Sequence, residues 1–187
     1  MKKYFCFFVL LATFFGTSAF SKDGIIIYGQ SFSFSLTEPD GWHCECGGGP
    51  AIESIGANAA LWRSGETFKT ANPIIYLRVN PKGKGAADDM KFDMSETKKR
   101  VPTVEFKEVS FSMRSGKAAS NIFSYKGGKA EYVTYFYPKG SNKHSLSITM
   151  HLDDRKPTEQ EIKIYKEILG SVFWLTDDVA GKGKEKK

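Results

Sequence analysis

The stretch SFSFSLTEPDGW, residues 31–42, carries the pattern on which the fold prediction depends. Phe32, Phe34 and Leu36 alternate with serines, which is the period-two spacing of a strand with one buried face. Residues 37–42 then supply turn chemistry, because proline fixes φ and an Asp-Gly pair favours a tight reversal. A half-buried strand followed by a reversal is typical of an antiparallel sheet. The sequence therefore predicts a fold built on an antiparallel β-sheet.

Most of the middle of the chain continues this pattern. Further strands are predicted in GIIIYG (24–29), AALWRSG (59–65), NPIIYLRVN (72–80), TVEFKEVSFSM (103–113) and around hairpin turns at KGGK (126–129) and PKGSNK (138–143). In HSLSITMHL the apolar residues alternate with polar ones, so His151 is expected on the polar face near a strand end. In EYVTYFY, Tyr132 faces away from Tyr135 and Tyr137, and outward-facing tyrosines there are candidates for a binding surface.

Two helices are predicted among the strands. The first lies in AADDMKFDMSETKKRVP (86–102), where acids come early, bases come late and Val101-Pro102 ends the pattern. Its expected apolar stripe is Ala86, Ala87, Met90, Met94 and Thr97. The second lies in KPTEQEIKIYKEILGSVFWL (156–175) and begins with a Thr158/Glu161 capping box. Its expected stripe is Ile162, Tyr165, Ile168, Leu169 and Val172, with Phe173 and Trp174 filling the core beyond it. The predicted fold class is α+β, an antiparallel sheet flanked by a mid-chain helix and a C-terminal helix.

The two ends of the chain predict an exported protein. Residues 1–19 have a basic start, an apolar run at 4–15 that is shorter than a bilayer span, and small residues before a cleavage point after Ala19, with cleavage after Ser21 as the alternative. This is the pattern of a signal peptide, which indicates a periplasmic or secreted protein with no membrane span after cleavage. Residues 20–178 are predicted as a single α+β domain, and 179–187 as a disordered basic tail.

The net charge of +6 does not indicate a nucleic-acid partner. Two of the excess positive charges lie in the signal peptide and three in the tail, so the folded body is close to neutral. A nucleic-acid-binding domain normally concentrates basic residues in the body. We therefore expect a protein partner or a small ligand instead.

The sequence WHCECGGGP (42–50) holds the residues most suggestive of chemistry. Cys44 and Cys46 would form a disulfide, or remain inert thiols, because cysteines pair in oxidising compartments. His43, Cys44 and Cys46 would alternatively bind Zn or Cu, with His144 or His151 as a fourth ligand. A thiol–disulfide exchange site is a third possibility. The Gly-x-Ser-x-Gly motif of serine hydrolases does not occur in the sequence, and we predict no enzymatic activity.

The order of these elements resembles the PsbP/Mog1-like superfamily, including small exported bacterial proteins of the DcrB type. The resemblance lies in FSFSLTEPDGW, in GGKAEYVTYFYPKG leading to HSLSITM, and in the closing YKEILGSVFW. It implies an α/β/α sandwich and a non-enzymatic binding or accessory role, and it provides no catalytic residues. The HCECGGG stretch departs from the family pattern.

From these observations we predict an exported, non-enzymatic binding or accessory protein that needs no cofactor. The alternative hypothesis is an envelope metal-binding or thiol-redox protein that acts through His43, Cys44 and Cys46 with Zn or Cu.

Overall fold

The structure is a computed structural model, and it describes residues 24–177. The predicted signal peptide (1–19) and basic tail (179–187) lie outside the described residues and stay predictions. The strands are β1 (Gly24–Tyr28), β2 (Ser33–Thr37), β3 (Trp42–Cys46), β4 (Ala59–Arg63), β5 (Ile74–Pro81), β6 (Glu105–Val109), β7 (Lys117–Ser124), β8 (Ala130–Tyr137), β9 (His144–Leu152) and β10 (Phe173–Thr176). The helices are α1 (Pro50–Ser54), α2 (Ala86–Arg100) and α3 (Glu159–Ser171).

The central layer is a seven-stranded antiparallel sheet in the order β3-β4-β5-β9-β8-β7-β6. Alternation along β9 places Leu146, Ile148 and Met150 on one face, where all three are buried. That face packs against α3 and forms the main core. The opposite face of β9 carries Ser147 and Thr149 and, as predicted, His151 at the strand end. The α+β class with an antiparallel sheet is confirmed.

A second sheet, which the sequence analysis did not predict, covers the same core face beside α3. It has the order β1-β2-β10, with all pairs antiparallel. Phe34 of β2 lies in register with Ile27 and Trp174, and these three side chains face the core. The prediction that Phe173 fills the core together with Trp174 is wrong: Phe173 is 41% exposed. The two residues are neighbours in a strand, so only one can face inward.

The two longer helices lie on opposite faces of the large sheet. Helix α2 packs Met90 against β7 and β8, and it buries Ala86 and Thr97 as predicted, whereas Ala87 is exposed. Helix α3 begins with the predicted capping box, in which Glu161 N donates to Thr158 Oγ1 at 3.3 Å and Thr158 N donates to Glu161 Oε2 at 2.8 Å.

The apolar stripe of α3 differs from its prediction at one position. Ile164 is buried, whereas Ile162 is only half-buried. No helix within residues 24–177 is long and apolar enough to cross a bilayer.

Candidate functional site

The residues singled out by sequence around the two cysteines form a strand. All five residues of β3 pair with β4, so the stretch belongs to the edge of the large sheet. Cys44 and Cys46 share one face, and Cys44 packs against the main core. His43 lies on the other face, with its ring 5.2 Å from that of Trp62. The structure therefore does not bring His43 together with the cysteines.

Both cysteines are free thiols in the structure, so the predicted disulfide is not formed in it. Alternate residues of an extended strand lie near the upper limit of Cα separation for a disulfide, and a bridge would require β3 to bend out of its ladder. Burial, together with the charges of Cys46 and Glu38, raises the pKa of the Cys44 thiol to about 12. A thiol with so high a pKa is a poor nucleophile and a poor metal ligand at neutral pH.

We expect the two thiols to react very differently with iodoacetamide at neutral pH. Cys46 is exposed and should be alkylated in the native protein, whereas Cys44 should be modified at least about tenfold more slowly because it is half-buried and protonated. Peptide mass spectrometry after a timed reaction would measure both rates. Both residues should react once the protein is unfolded. Failure of both to react in unfolded, unreduced protein would show that they are bridged.

The metal hypothesis gains no assembled ligand set from the structure. Across residues 24–177, no group of three His, Cys, Asp or Glu side chains is arranged to hold a metal ion. His144 and His151, the suggested fourth ligands, contact the carboxylates of Asp177 and Glu131 respectively. The candidate Zn or Cu ligands that the sequence suggested therefore do not form one cluster.

His144 belongs to a hydrogen-bonded Ser-His-Asp series that the sequence did not indicate. Ser31 Oγ lies 3.2 Å from His144 Nε2, and His144 Nδ1 lies 3.2 Å from Asp177 Oδ1. The Asp177 carboxylate also accepts from Ser141 Oγ and from two backbone N–H groups of the 138–143 loop. The imidazole packs against the rings of Phe32 and Trp174, at 5.7 and 5.8 Å. These hydrogen bonds connect three segments of the chain. That the protein has no enzymatic activity stays a prediction.

An extended concave surface lies on the α2 side of the large sheet. Helix α2 covers β7 and β8, and Ile52 and Ala71 pack on Ala60 and Trp62 of β4. The middle of the sheet between these two covers, at β5 and β9, is left open and lines a cavity. The polar side chains of β5 and β9 form its floor. We call this surface the sheet-face groove.

The sheet-face groove comprises a cavity of about 490 Å³ and two smaller ones that share lining residues with it. Its polar lining residues include Tyr76, Arg78, Asp93, Arg100, Tyr125, Glu131, Ser147, Thr149 and His151. The neighbouring cavities measure about 400 and 260 Å³ and extend the groove toward Phe92 and toward Asp153. The three cavities together form an elongated depression across the strands.

Charged groups of both signs are held in fixed positions in this groove. Arg78 donates from Nε and Nη2 to the Ile55 carbonyl at 3.0 and 2.6 Å, and its guanidinium lies 4.7 Å from the centre of the Tyr76 ring. Asp93 of α2 accepts a hydrogen bond from the Tyr135 hydroxyl. A guanidinium carries five donors and a carboxylate accepts about four bonds, so both groups retain capacity for a ligand.

One end of the groove is organised around Glu131. Its carboxylate accepts from Tyr125 Oη at 3.0 Å and lies 2.8 Å from His151 Nδ1, while His151 Nε2 lies 3.0 Å from Asp153. Burial alone would raise the pKa of Glu131, but the hydrogen bonds with His151 and Tyr125 lower it below its usual value. The bond with Glu131 raises the pKa of His151, against the effect of burial. These shifts favour a charged Glu131–His151 pair.

The tyrosines of the groove are held as neutral donors. Burial and the negative charge of Asp93 raise the pKa of Tyr135 far above its usual range. Burial and Glu131 raise the pKa of Tyr125 in the same way. Tyr135 and Tyr137 share the α2 face, and Tyr132 packs toward the main core, as the alternation predicted. Tyr135 and Tyr137 are both buried, so neither forms an exposed surface, and of the two only Tyr135 lines the groove.

The Glu131–His151 pair predicts a pH-dependent stability. Because the folded-state pKa of His151 is raised, its stabilising effect is complete below the unfolded pKa near 6.5 and is lost as pH rises through the folded value. The difference in unfolding free energy between wild type and His151→Gln should therefore shrink from pH 5.5 to pH 9, as measured by urea titration. Ser147→Ala is the matched control, since it removes a polar side chain from the same face of β9 without removing a titratable group, and its difference should stay constant. A difference that grows with pH would contradict the assignment.

Sequence reasoning reached the groove only in part. It placed His151 on the polar face of β9 and noted tyrosines on an outward face of β8. It missed Arg78, Asp93 and Glu131, which come from three different elements, β5, α2 and β8. The available signal was the alternation in NPIIYLRVN and HSLSITMHL, where polar residues occur on the strand face opposite the core.

The layers and the groove define an α+β protein with helices on both faces of an antiparallel sheet and an open polar depression on one of them. Among solved structures, the chain is similar to the solution structure of cyanobacterial PsbP (CyanoP) from Synechocystis sp. PCC 6803. The match covers 76% of this chain and 86% of that chain, with 8% sequence identity and a TM-score of 0.49. This neighbour is of the PsbP type that the sequence resemblance named. No protein-family model matches the sequence, and no curated protein matches it.

Proposed function

We propose that this chain is an exported, non-enzymatic binding protein whose ligand lies in the sheet-face groove. The observation that carries the proposal is the uncovered centre of the large sheet, where Arg78, Asp93 and Glu131 are fixed by bonds within the protein and still face an open cavity. Preorganised polar groups of this kind reduce the ordering that binding requires. A sheet face with no such role would normally be covered by a helix or carry freely hydrated side chains.

The ligand class follows from the lining. Arg78 and Arg100 provide cationic donors, Asp93 and Glu131 provide anionic acceptors, and Ser147 and Thr149 add hydroxyls on the floor. These groups match a ligand that carries both charges and several hydrogen-bonding groups, which is the chemistry of amino acids and short peptides. Tyr76 and Tyr125 offer ring surface for its apolar parts.

The thiol and metal alternative receives less support. Cys44 packs against the core with a raised pKa, and His43 is on the opposite face of β3. A binding role through the groove needs neither cysteine.

Filling the groove tests the proposal. Ser147 lines two of the three cavities, and Ser147→Trp would place an indole on the floor. Ser124→Trp is the matched control, because Ser124 is also a strand serine but is exposed away from the groove. Affinity would be measured by calorimetry for Gly-X-Gly tripeptides with lysine, glutamate, glutamine or tyrosine at the middle position. Ser147→Trp should weaken the affinity for the best-binding tripeptide by about tenfold or more, equivalent to about 1.4 kcal/mol, and Ser124→Trp should leave that affinity unchanged.

Failure of all four tripeptides to bind the wild-type protein would overturn the ligand class. Equal affinity of the wild type and Ser147→Trp would overturn the site.

A further inference from the structure

A cluster of lysines lies at the opposite end of α2 from the Glu131 pair. A cavity of about 650 Å³ is lined by Lys82, Lys84, Lys117 and Lys139, with Tyr137 in its wall. All four lysines are exposed, and none of the ion pairs formed within residues 24–177 involves Lys84, Lys117 or Lys139. The neighbouring carboxylates are Asp88 and Asp89 in the first turn of α2, and Asp89 already accepts from Tyr137 Oη at 2.6 Å. A concentration of unpaired cations in a nearly neutral body suits an anionic partner.

An exposed apolar patch occupies the outer face of the small sheet. Ile26 and Tyr28 of β1 are 44% and 63% exposed, and Phe173 and Leu175 of β10 are 41% and 45% exposed. Ile26 and Phe173 flank Ser35 in register, so they share the face that points away from the core. The Arg114 guanidinium lies 5.7 Å from the centre of the Phe173 ring. This patch is an amphipathic surface with a cation at its border.

The apolar patch and the lysine cluster are joined by direct contacts. Asp177 follows β10, and its carboxylate accepts from Ser141 Oγ at 2.6 Å and from Lys143 N at 3.1 Å. The Lys82 ammonium donates to the Ser141 carbonyl, and Lys82 N donates to the Lys143 carbonyl at 2.8 Å. The end of β10 is therefore attached to the loop that carries Lys139.

We propose that this end of the molecule docks on an anionic phospholipid membrane surface. The lysines would contact lipid phosphates, because the negative surface potential of an anionic membrane attracts clustered basic residues. Phe173, Leu175 and Tyr28 would enter the boundary between headgroups and acyl chains, the region that aromatic side chains favour. The combination of exposed apolar side chains with an adjoining cluster of unpaired lysines favours a membrane over a purely polar anion. This docking is independent of the sheet-face groove, whose described lining residues are different.

Vesicle sedimentation tests the proposal on the exported protein with its tail intact. Vesicles of phosphatidylcholine alone should bind little protein, and vesicles that also contain phosphatidylglycerol should bind it in a salt-sensitive way. The charge reversal Lys84→Glu/Lys117→Glu/Lys139→Glu should weaken binding by about tenfold or more. Lys91→Glu/Lys107→Glu/Lys163→Glu is the matched control at exposed lysines elsewhere, and it should retain most of the binding.

A second variant distinguishes a membrane from a free phosphate or an acidic protein. Phe173→Ser/Leu175→Ser keeps every lysine and changes only exposed side chains, so the fold should be unaffected. Docking on a bilayer predicts that this variant loses most vesicle binding. Binding equal to that of the wild type would show that phosphate alone is recognised and would overturn the proposal. Absence of vesicle binding by the wild-type protein, or an equal loss in the control triple variant, would overturn it as well.

Discussion

Replacing Phe34 by alanine should lower the free energy of unfolding by about 3–5 kcal/mol. Phe34 is 0% exposed at the centre of the small sheet, and its ring lies parallel to that of Trp174 with 6.2 Å between the centres. The backbone of β2 is fixed by strands on both sides, so the surrounding residues cannot move in to fill the space left by the ring. The free-energy cost of the lost buried area and the cost of the remaining cavity therefore add.

Urea titration of the wild type and the Phe34→Ala variant would measure this loss. Phe92→Ala is the matched control, because the Phe92 side chain is 70% exposed on α2 and its removal should change stability by no more than about 0.5 kcal/mol. Similar losses in the two variants would contradict the arrangement in which the small sheet packs on the main core through Phe34.

Replacing Glu161 by alanine should cost about 3 kcal/mol. Its side chain is 3% exposed, it receives two bonds from Arg155 at 2.8 Å, and it pairs with Arg63. It also completes the capping box of α3. Its removal leaves Arg155 and Arg63 without their partner. Both arginines are more than a third exposed and regain contact with water. The expected loss of stability is therefore at the lower end of the range for buried ion pairs.

The Glu161 contribution should depend on pH in a defined direction. Burial would raise the pKa of this carboxyl, but the bonds from Arg155 and Thr158 lower it from 4.5 to about 2. The stabilising effect is therefore present above pH 4.5 and is lost as pH falls toward 2. Unfolding titrations of the wild type and Glu161→Ala at pH 7 and pH 3 should show a smaller difference at pH 3. Glu167→Ala, at an exposed position of the same helix, should show little difference at either pH. A Glu161 difference that is constant with pH would contradict the role of its charge.

The sequence predicted the framework because hydrophobic periodicity survives in single strands and helices. The alternation of residues 31–36 and 144–152 and the Thr158/Glu161 capping box are local signals, and the structure contains all three elements. The second sheet was missed because its third strand, β10, comes directly after α3 and has only four residues. A tertiary contact with β2, and no local pattern, decides that Phe173 faces outward.

The candidate site was harder to predict for a related reason. The sequence analysis favoured WHCECGGGP because cysteine and histidine are chemically conspicuous, but pairing with β4 separates His43 from the thiols. The sheet-face groove is assembled from α2, β5, β7, β8 and β9, and its charged residues are ordinary in composition. Only the strand order, which places β9 between β5 and β8, brings Arg78 and Glu131 to the same depression.

The most direct test of the binding account is an NMR titration of the wild-type protein with the tripeptide that binds best. Amide shifts should change at Arg78, Glu131, Ser147 and Thr149, and the peptide should be recovered chemically unchanged after prolonged incubation. Shifts confined to the cysteine strand β3 or to the lysine cluster would contradict the placement of the ligand in the groove. Cleavage of the peptide by the wild-type protein would contradict the proposal that binding, without catalysis, is what this protein does.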